Sequence, residues 1–261
     1  MSFLQNLFKP AAPKAPAVQP LQIPDKLPKI TSPTAAQIAQ SSSPSPAAQQ
    51  ILNANPQQTP SQYLNALQEK QMGGEMVKTM AHGMPDREGV HWAAQSANQV
   101  SDKLPPSEVH AMQAAQTWSK NPTAENQAAA AAAAAKTDYR GPGGLAAQGA
   151  AWARPATSAS SSAGASASAA AAPRMTPHAV TGAVLLSAAI KANPALAAPA
   201  VKLPTVQAPT LAVPSLQAPE LSVPQAPAPT VPPHIEAQTF KEQHPFIAMG
   251  LDIASGKQPV G

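Results

Sequence analysis

Three side chains that could do chemistry lie close together in the sequence: His82, Glu88 and His91. Imidazole and carboxylate groups bind zinc, but a zinc site needs three or four such ligands. Glu88 and His91 are three residues apart and would share one helix face, whereas His82 lies across a Gly-Met-Pro break. We therefore expect surface side chains here and predict no metal site.

Other enzyme signatures are missing from the sequence. The run Gly141-Pro-Gly-Gly144 lacks the Lys and the Ser or Thr that complete a phosphate-binding loop. No serine lies in a Gly-x-Ser-x-Gly elbow, and the chain has no cysteine that could act as a nucleophile or metal ligand. The 13 carboxylates include no recognisable acid–base pair. We predict no catalytic residue, no cofactor and no small-molecule ligand, and we expect a protein that is not an enzyme.

The charge pattern argues against nucleic acid as a partner. The net charge is +4, but the 13 Lys and 4 Arg are scattered singly, whereas a nucleic-acid surface needs clustered bases with stacking aromatics. The most apolar run covers residues 179–190 and stops at Lys191, short of the roughly 20 residues that a membrane span needs. The N-terminus has no signal-peptide pattern. We therefore expect a cytoplasmic protein with no integral membrane segment.

The composition excludes one globular domain of 261 residues. Alanine accounts for 58 residues and proline for 32, while Leu, Ile, Val and Phe together number only 42. These four types make up about 16% of the chain, below the roughly 20% of ordinary folded proteins. We predict a mostly α fold: a small Ala-rich helical bundle flanked by long disordered segments rich in Pro, Ala and Ser.

Residues 59–154 carry the pattern of an all-α domain. Helix starts recur as a capping residue followed by proline, as in Thr59-Pro60 and Asn121-Pro122. The short connections between the segments predict antiparallel neighbours. The expected helices lie near 60–71, 74–82, 86–103, 106–120, 122–137 and 143–153.

The large aromatic residues of this domain are its expected core anchors, because the Ala-rich helices bury little area. The alternative is that one tryptophan is exposed as a hot spot for a partner. The predicted anchors are Tyr63, Trp92, Trp118 and Trp152.

The segments around this domain have distinct predicted roles. Residues 1–58 are expected to form a disordered tether, and residues 155–173 a flexible Ser/Ala linker. Residues 174–193 contain one more helix, which is apolar enough to dock on the core. The tip of the N-terminal tether is an apolar knob made of Phe3, Leu4, Leu7 and Phe8.

A proline array dominates residues 194–232. Prolines recur at every fifth position from 199 to 229, which excludes helix and central strand. The array predicts an extended tether of up to roughly 90 Å, and the alternative is a segment that lies along a partner. Residues 233–261 predict an amphipathic helical tail, which either folds back on the core or binds a partner. The apolar residues of this tail are Phe240, Phe246, Ile247 and Leu251.

Several stretches of the sequence resemble a family of uncharacterised bacterial proteins associated with type VI secretion gene clusters. The resemblance covers roughly residues 60–192 and the tail, and it departs from the family's pattern at His91-Trp92 and in the poly-Ala run. It implies a helical accessory protein of a secretion machine and carries over no catalytic residue. The similar stretches are 84–93, 114–126, 144–152, 175–186, the tether repeats beginning at 203, and 249–254.

These observations favour a non-enzymatic adaptor or scaffold of a bacterial secretion system, with other proteins as partners. One alternative is a secreted effector whose helical domain serves for loading, and another is a purely structural spacer. The adaptor hypothesis assigns partner binding to the two apolar ends of the chain. The residues concerned are Phe3, Leu4, Leu7, Phe8, Phe240, Phe246, Ile247 and Leu251.

Overall fold

A computed structural model describes residues 20–154, 174–197, 240–258 and 260. Helices account for 72% of these residues, which confirms the predicted mostly α fold, and no strand occurs among them. The apolar tip, the 155–173 linker and the proline array from 199 to 229 lie outside the described residues. The helices are α1 Ala35–Ser42, α2 Pro46–Ala54, α3 Pro60–Glu69, α4 Gly73–Gly83, α5 Asp86–Asn98, α6 Pro106–Lys120, α7 Ala124–Ala135, α8 Pro142–Trp152, α9 Thr176–Ala192 and α10 Phe240–Ala254.

Local sequence explains where several helices begin. Thr59 caps α3 in a capping box with Gln62, and Pro60 follows at the first helical position. The Thr123 side chain accepts a hydrogen bond from the N–H of Asn126 at the start of α7. The helix expected over 86–103 ends earlier, at Asn98, and a short 3₁₀ turn follows.

Residues 20–58 correct the prediction of a disordered N-terminal tether. They contain α1 and α2, and their widely spaced apolar side chains are buried in the core. The Leu21 N–H and C=O both bond the amide of Gln68. Ile30 and Ile38 pack where α4 ends at Gly83. The composition led us to underestimate how ordered this segment is, because its few large residues bury their surface against helices that come later in the chain.

Trp92 on α5 is the centre of one part of the core, which we call the aromatic side (α3, α4, α5 and α10). Its indole N–H donates to the Phe246 carbonyl at 2.9 Å, and its ring lies against Gly250. This contact docks α10 on the body of the protein. Large side chains fill the aromatic side, among them Tyr63, Leu64, Leu67, Met76, Met80, Phe246 and Ile253.

The burial of α10 corrects the assignment of partner binding to the tail. Phe246, Ile247 and Leu251 are buried core residues, and Phe240 is partly buried against them. Of the two alternatives for the tail, the structure has the one in which it folds back. The physical reason is that the α10 apolar face matches the surface presented by α4, α5 and α9.

The helices α6, α7 and α8 form the other part, which we call the small-residue layer. Their buried positions are mostly Ala and Gly, so the helix backbones approach closely. Helix α9 packs across α5 and α8, as the apolar composition of residues 174–193 led us to expect. Gly149 of α8 faces Val180 of α9 at this crossing.

Three of the four predicted aromatic anchors are buried and one is exposed. Tyr63, Trp92 and Trp118 are buried, but Trp152 is 45% exposed, so its prediction as a core anchor is wrong. Trp152 is the last residue of α8. Within the described ranges, no helix combines the length and apolarity needed to cross a bilayer.

Candidate interaction site

The start of α5 binds both ends of the segment that joins α8 to α9. One Asp86 carboxylate oxygen pairs with the Arg174 guanidinium, and the other accepts the Arg154 backbone N–H at 3.0 Å. Arg174 also donates to the Met84 carbonyl at 3.2 Å. A carboxylate at a helix N-terminus is further stabilised by the helix dipole. Asp86 therefore holds Arg154 and Arg174 together at the start of α5.

The Arg87 side chain binds the C-terminal end of α6. Its Nε donates to the Ser119 carbonyl at 2.7 Å and its Nη2 to the Lys120 carbonyl at 3.1 Å, so it caps the C-terminus of α6. The same guanidinium also donates to the Val260 carbonyl at 3.3 Å. Arginine thus joins three chain segments at this end of the bundle.

Two large apolar side chains are exposed near these contacts of Asp86 and Arg87. Trp152 is 45% and Met175 44% exposed. The Thr176 hydroxyl donates to the Gly149 carbonyl at 3.1 Å, which brings the first residue of α9 to the last turn of α8. The two apolar residues therefore lie at the same end of the bundle. We call this region the Asp86 pole, and it comprises Asp86, Arg87, Trp152, Arg154, Arg174 and Met175.

The three residues singled out in the sequence do not converge. His82 lies within hydrogen-bonding distance of the Ser41 hydroxyl, at 3.1 Å. Glu88 forms an ion pair with Lys29 at 3.0 Å, and His91 is buried. Among the described residues, no group of three or more potential ligands could hold a metal ion.

Burial decides the charge state of the two histidines. Desolvation, helped by the nearby His178, Arg174 and Lys78, lowers the pKa of His82 to about 3. Burial also lowers the pKa of His91, whose Nδ1 lies 3.4 Å from the Ser119 hydroxyl. Both imidazoles are therefore neutral at pH 7.

The glycine-rich run that resembled an incomplete phosphate loop binds a carboxylate of the same chain. Glu108 on α6 accepts the N–H of Gly141 at 3.1 Å and that of Gly144 at 2.8 Å. A Cβ at Gly143 would overlap the Glu108 carbonyl oxygen. The glycine-rich run was recognisable in the sequence. Its partner Glu108 was not, because it lies 33 or more positions away.

A shallow cavity of about 280 Å³ lies between α6 and α7. It is open to solvent, and His110 is the one titratable residue in its lining. No nucleophile with an adjacent base lines it, so its geometry offers no chemistry. The other lining residues are Gln113, Ala114, Thr117, Asn126 and Ala129.

A family model described as a family of unknown function, DUF6931, matches residues 63–209. The chain belongs to this family. The match covers more than half of the chain and includes the whole Asp86 pole, whereas α1, α2 and α10 lie outside it. No curated protein and no solved structure matches the chain. The DUF6931 description names no function and no link to type VI secretion, so the resemblance to secretion-associated proteins stays a prediction.

Proposed function

We propose that this DUF6931 member is a non-enzymatic adaptor that binds another protein through the Asp86 pole. The exposure of Trp152 carries the proposal. Tryptophan is the residue type most enriched in binding hot spots, because its burial at an interface removes a large apolar area from water. Met175 adds an adaptable apolar contact beside it.

The charge around these residues points to an acidic partner surface. Arg87, Arg154 and Arg174 outnumber the single acidic residue Asp86 at the pole. Arginine is enriched at protein interfaces, and electrostatic complementarity accelerates association. The proposed ligand is therefore a protein segment that combines an apolar anchor with acidic side chains.

The internal contacts of the pole favour binding over catalysis. The Asp86 carboxylate and the guanidinium groups of Arg87 and Arg174 already hold chain segments together. Groups bound in this way position a surface and are not placed to exchange protons with a substrate. The resemblance to secretion-associated proteins supports a role as a cytoplasmic accessory protein, with a secretion-machine component as the acidic partner.

The test compares three forms of the full chain as baits in a lysate of the source organism. Wild type and Tyr139→Ala are expected to capture the same proteins, and Trp152→Ala to capture them at least about tenfold less. Tyr139 is a matched control because it is an aromatic residue exposed to a similar extent, 48%. Equal capture by all three forms would contradict the proposal.

Captured proteins are then purified and titrated directly against the chain. For a partner at the Asp86 pole, the dissociation constant should rise with salt, because arginine pairs with acidic side chains are screened. Substitution of Arg154 by Glu should weaken binding more than substitution by Gln. Affinity independent of salt would exclude an acidic partner at this surface.

A further inference from the structure

Two opposite charges lie at the ends of the outward side of α7. The helix packs on α6 and α8, and its buried positions are Ala130, Ala133 and Ala134. On the opposite side, Glu125 is exposed in the first turn and Lys136 directly after the last helical residue. Every exposed residue between these two charges is an alanine. The outward side of α7 is therefore a smooth apolar surface with one acid and one base at its ends.

Four exposed residues on this side lie in one row along the helix. They are four, three and four positions apart, which is the spacing of the contact row in a coiled coil. Lys136 keeps helical backbone angles, so the row extends one residue past the end of α7. We call this row the α7 seam, and it comprises Glu125, Ala129, Ala132 and Lys136. Its small central residues let a second helix approach to the short end of the usual range of ~8–10 Å between helix axes.

Neither charge of the α7 seam takes part in an ion pair within the described part of the chain. The two charged residues are roughly 16 Å apart along the helix axis, too far to pair with each other. The helix dipole favours an acid at the start and a base at the end of a helix, but it does not explain why only alanine is exposed between them. An exposed helix side ordinarily carries several polar residues. The seam therefore has the composition of a contact surface.

The shallow cavity between α6 and α7 borders the α7 seam. Ala129 belongs both to the seam and to the lining of this cavity, which is open to solvent. The α6 wall of the cavity carries the exposed polar side chains of His110, Gln113 and Thr117. A helix that lies along the seam covers the mouth of the cavity, so the contact extends from α7 onto α6.

The charges of the α7 seam fit a second copy of the same chain. In a two-fold symmetric, antiparallel pair of α7 helices, Glu125 of each copy lies opposite Lys136 of the other. Ala129 then lies opposite Ala132 at the centre of the pair. A parallel pair would place like charges opposite each other, so the charges select the antiparallel direction. A two-fold contact uses the same patch on both copies and needs no other surface of the protein.

We propose that the protein self-associates through the α7 seam as an antiparallel, two-fold symmetric dimer. The two ion pairs between the copies set the direction and the register of the helices, and the alanines at the centre let the helix backbones meet. Helix α7 has 12 residues and is about 18 Å long, so the contact is small beside the ~800 Å² per partner of stable complexes. The dimer is therefore in reversible equilibrium with the monomer, with a dissociation constant of about 10–100 μM.

The experiment measures the molar mass of the full chain by sedimentation equilibrium, at protein concentrations from micromolar to millimolar. The mass of wild type should rise from the monomer value of 26.6 kDa toward twice that value. The charge reversal Lys136→Glu should raise the dissociation constant of the dimer at least about tenfold, because two attractions between the copies become two repulsions. Glu125→Lys should have the same effect for the same reason.

Combining the two charge reversals separates an interface from a local effect on α7. The double variant Glu125→Lys/Lys136→Glu should dimerise like wild type, because each charge again lies opposite its counterpart. An equal mixture of the two single variants should also form dimers, because one seam is then wholly positive and the other wholly negative. A change in the stability of α7 alone would be restored by neither combination.

A substitution at the centre of the α7 seam tests the close approach of the helices. Ala132→Arg places a long charged side chain beside the two-fold axis and should abolish the dimer. Ala135→Arg is the matched control, since Ala135 is an exposed alanine of the same helix that lies roughly a quarter turn away from the seam. This control should dimerise like wild type.

The remaining outcomes overturn the proposal or distinguish it from binding at the Asp86 pole. A molar mass that stays at the monomer value up to millimolar concentration overturns it, and so does a double variant or a mixture that associates as weakly as the single variants. Trp152→Ala should dimerise like wild type, because Trp152 lies outside the α7 seam. Dimers that are lost in Trp152→Ala but retained in Lys136→Glu would assign self-association to the Asp86 pole instead.

Discussion

The aromatic side and the small-residue layer build a core by opposite means. In the aromatic side, large buried side chains such as Trp92, Met76 and Phe246 fill the space between the helices. In the small-residue layer, the buried Ala and Gly residues of α8 have small side chains or none, so the backbones of α6 and α8 come into contact. The aromatic side gains stability from buried apolar area. The small-residue layer gains it from backbone contact and from the hydrogen bonds that Glu108 accepts.

This difference predicts which kind of mutation each part tolerates. A truncated side chain leaves a cavity in the aromatic side, whereas it changes little in a layer that already consists of small residues. An added methyl group should be harmful where backbones touch, since a backbone cannot move aside as a long side chain can. The following predictions test this contrast, from the largest expected effect to the smallest.

The substitution Trp92→Ala should have the largest effect. It opens a cavity in the aromatic side and removes the hydrogen bond to the Phe246 carbonyl that docks α10. We expect the free energy of unfolding to fall by about 4 kcal/mol, measured by urea denaturation. The matched control Trp152→Ala should change it by no more than about 0.5 kcal/mol, because that indole is already half in solvent. Equal losses in the two variants would contradict the role of Trp92 as a buried anchor of the aromatic side.

Adding one methyl group at Gly143 should destabilise the small-residue layer. The Cβ of Gly143→Ala would overlap the Glu108 carbonyl oxygen, so α8 would have to move away from α6. We expect a loss of about 3 kcal/mol by the same measurement.

Gly74→Ala is the control, because Gly74 is also the second residue of its helix and a Cβ there has no neighbour within 4 Å. This control should be neutral or up to about 1 kcal/mol more stable, since alanine favours helix. A tolerated Gly143→Ala would contradict close backbone packing.

Acid should weaken the protein through His82. Its pKa is about 3 in the folded protein and about 6.5 in the unfolded chain, so the unfolded chain binds more protons between these values. Stability should fall as the pH is lowered from 6.5 toward 3, by up to about 1.4 kcal/mol per pH unit from this group. Denaturation curves of His82→Gln across this range should show a shallower decline, and those of His110→Gln the wild-type decline.

Glu108 should respond to pH in the opposite sense, and with a smaller effect. Burial raises the pKa of its carboxyl group, although the hydrogen bonds from Gly144 and Gly141 lower it in part. The folded state therefore holds the proton to higher pH than the unfolded chain does. The stability of wild type relative to Glu108→Gln should fall as the pH rises above 4.5 through the folded pKa. The exposed Glu125→Gln should show no such trend, and a trend of equal size there would sink this interpretation.

Local sequence was enough to predict helices that are set by capping and by helix propensity. The capping box at Thr59 and the alanine run of α7 predicted their helices, with ends that differ by one or two residues. Capping and helix propensity depend on residues within one or two turns, so sequence contains the needed information. The mostly α fold followed from the same local patterns.

The candidate sites depended on residues that are distant in the sequence. Asp86 meets Arg174, and Glu108 meets Gly144, across 88 and 36 positions. No pattern of residue types revealed these pairs. The sequence raised the alternative that one tryptophan is exposed, but only the packing of α8 selected Trp152.

Residues 20–58 and α10 also separate what the sequence determines from what only the tertiary structure decides. Their sequences determine which short stretches can be helical and which side chains are apolar. Only the assembled bundle decides that Ile30, Ile38 and Phe246 are buried, because burial requires a matching surface and that surface is built from helices elsewhere in the chain. Helix formation is a local property of the backbone, whereas the removal of a side chain from water is a property of the whole fold.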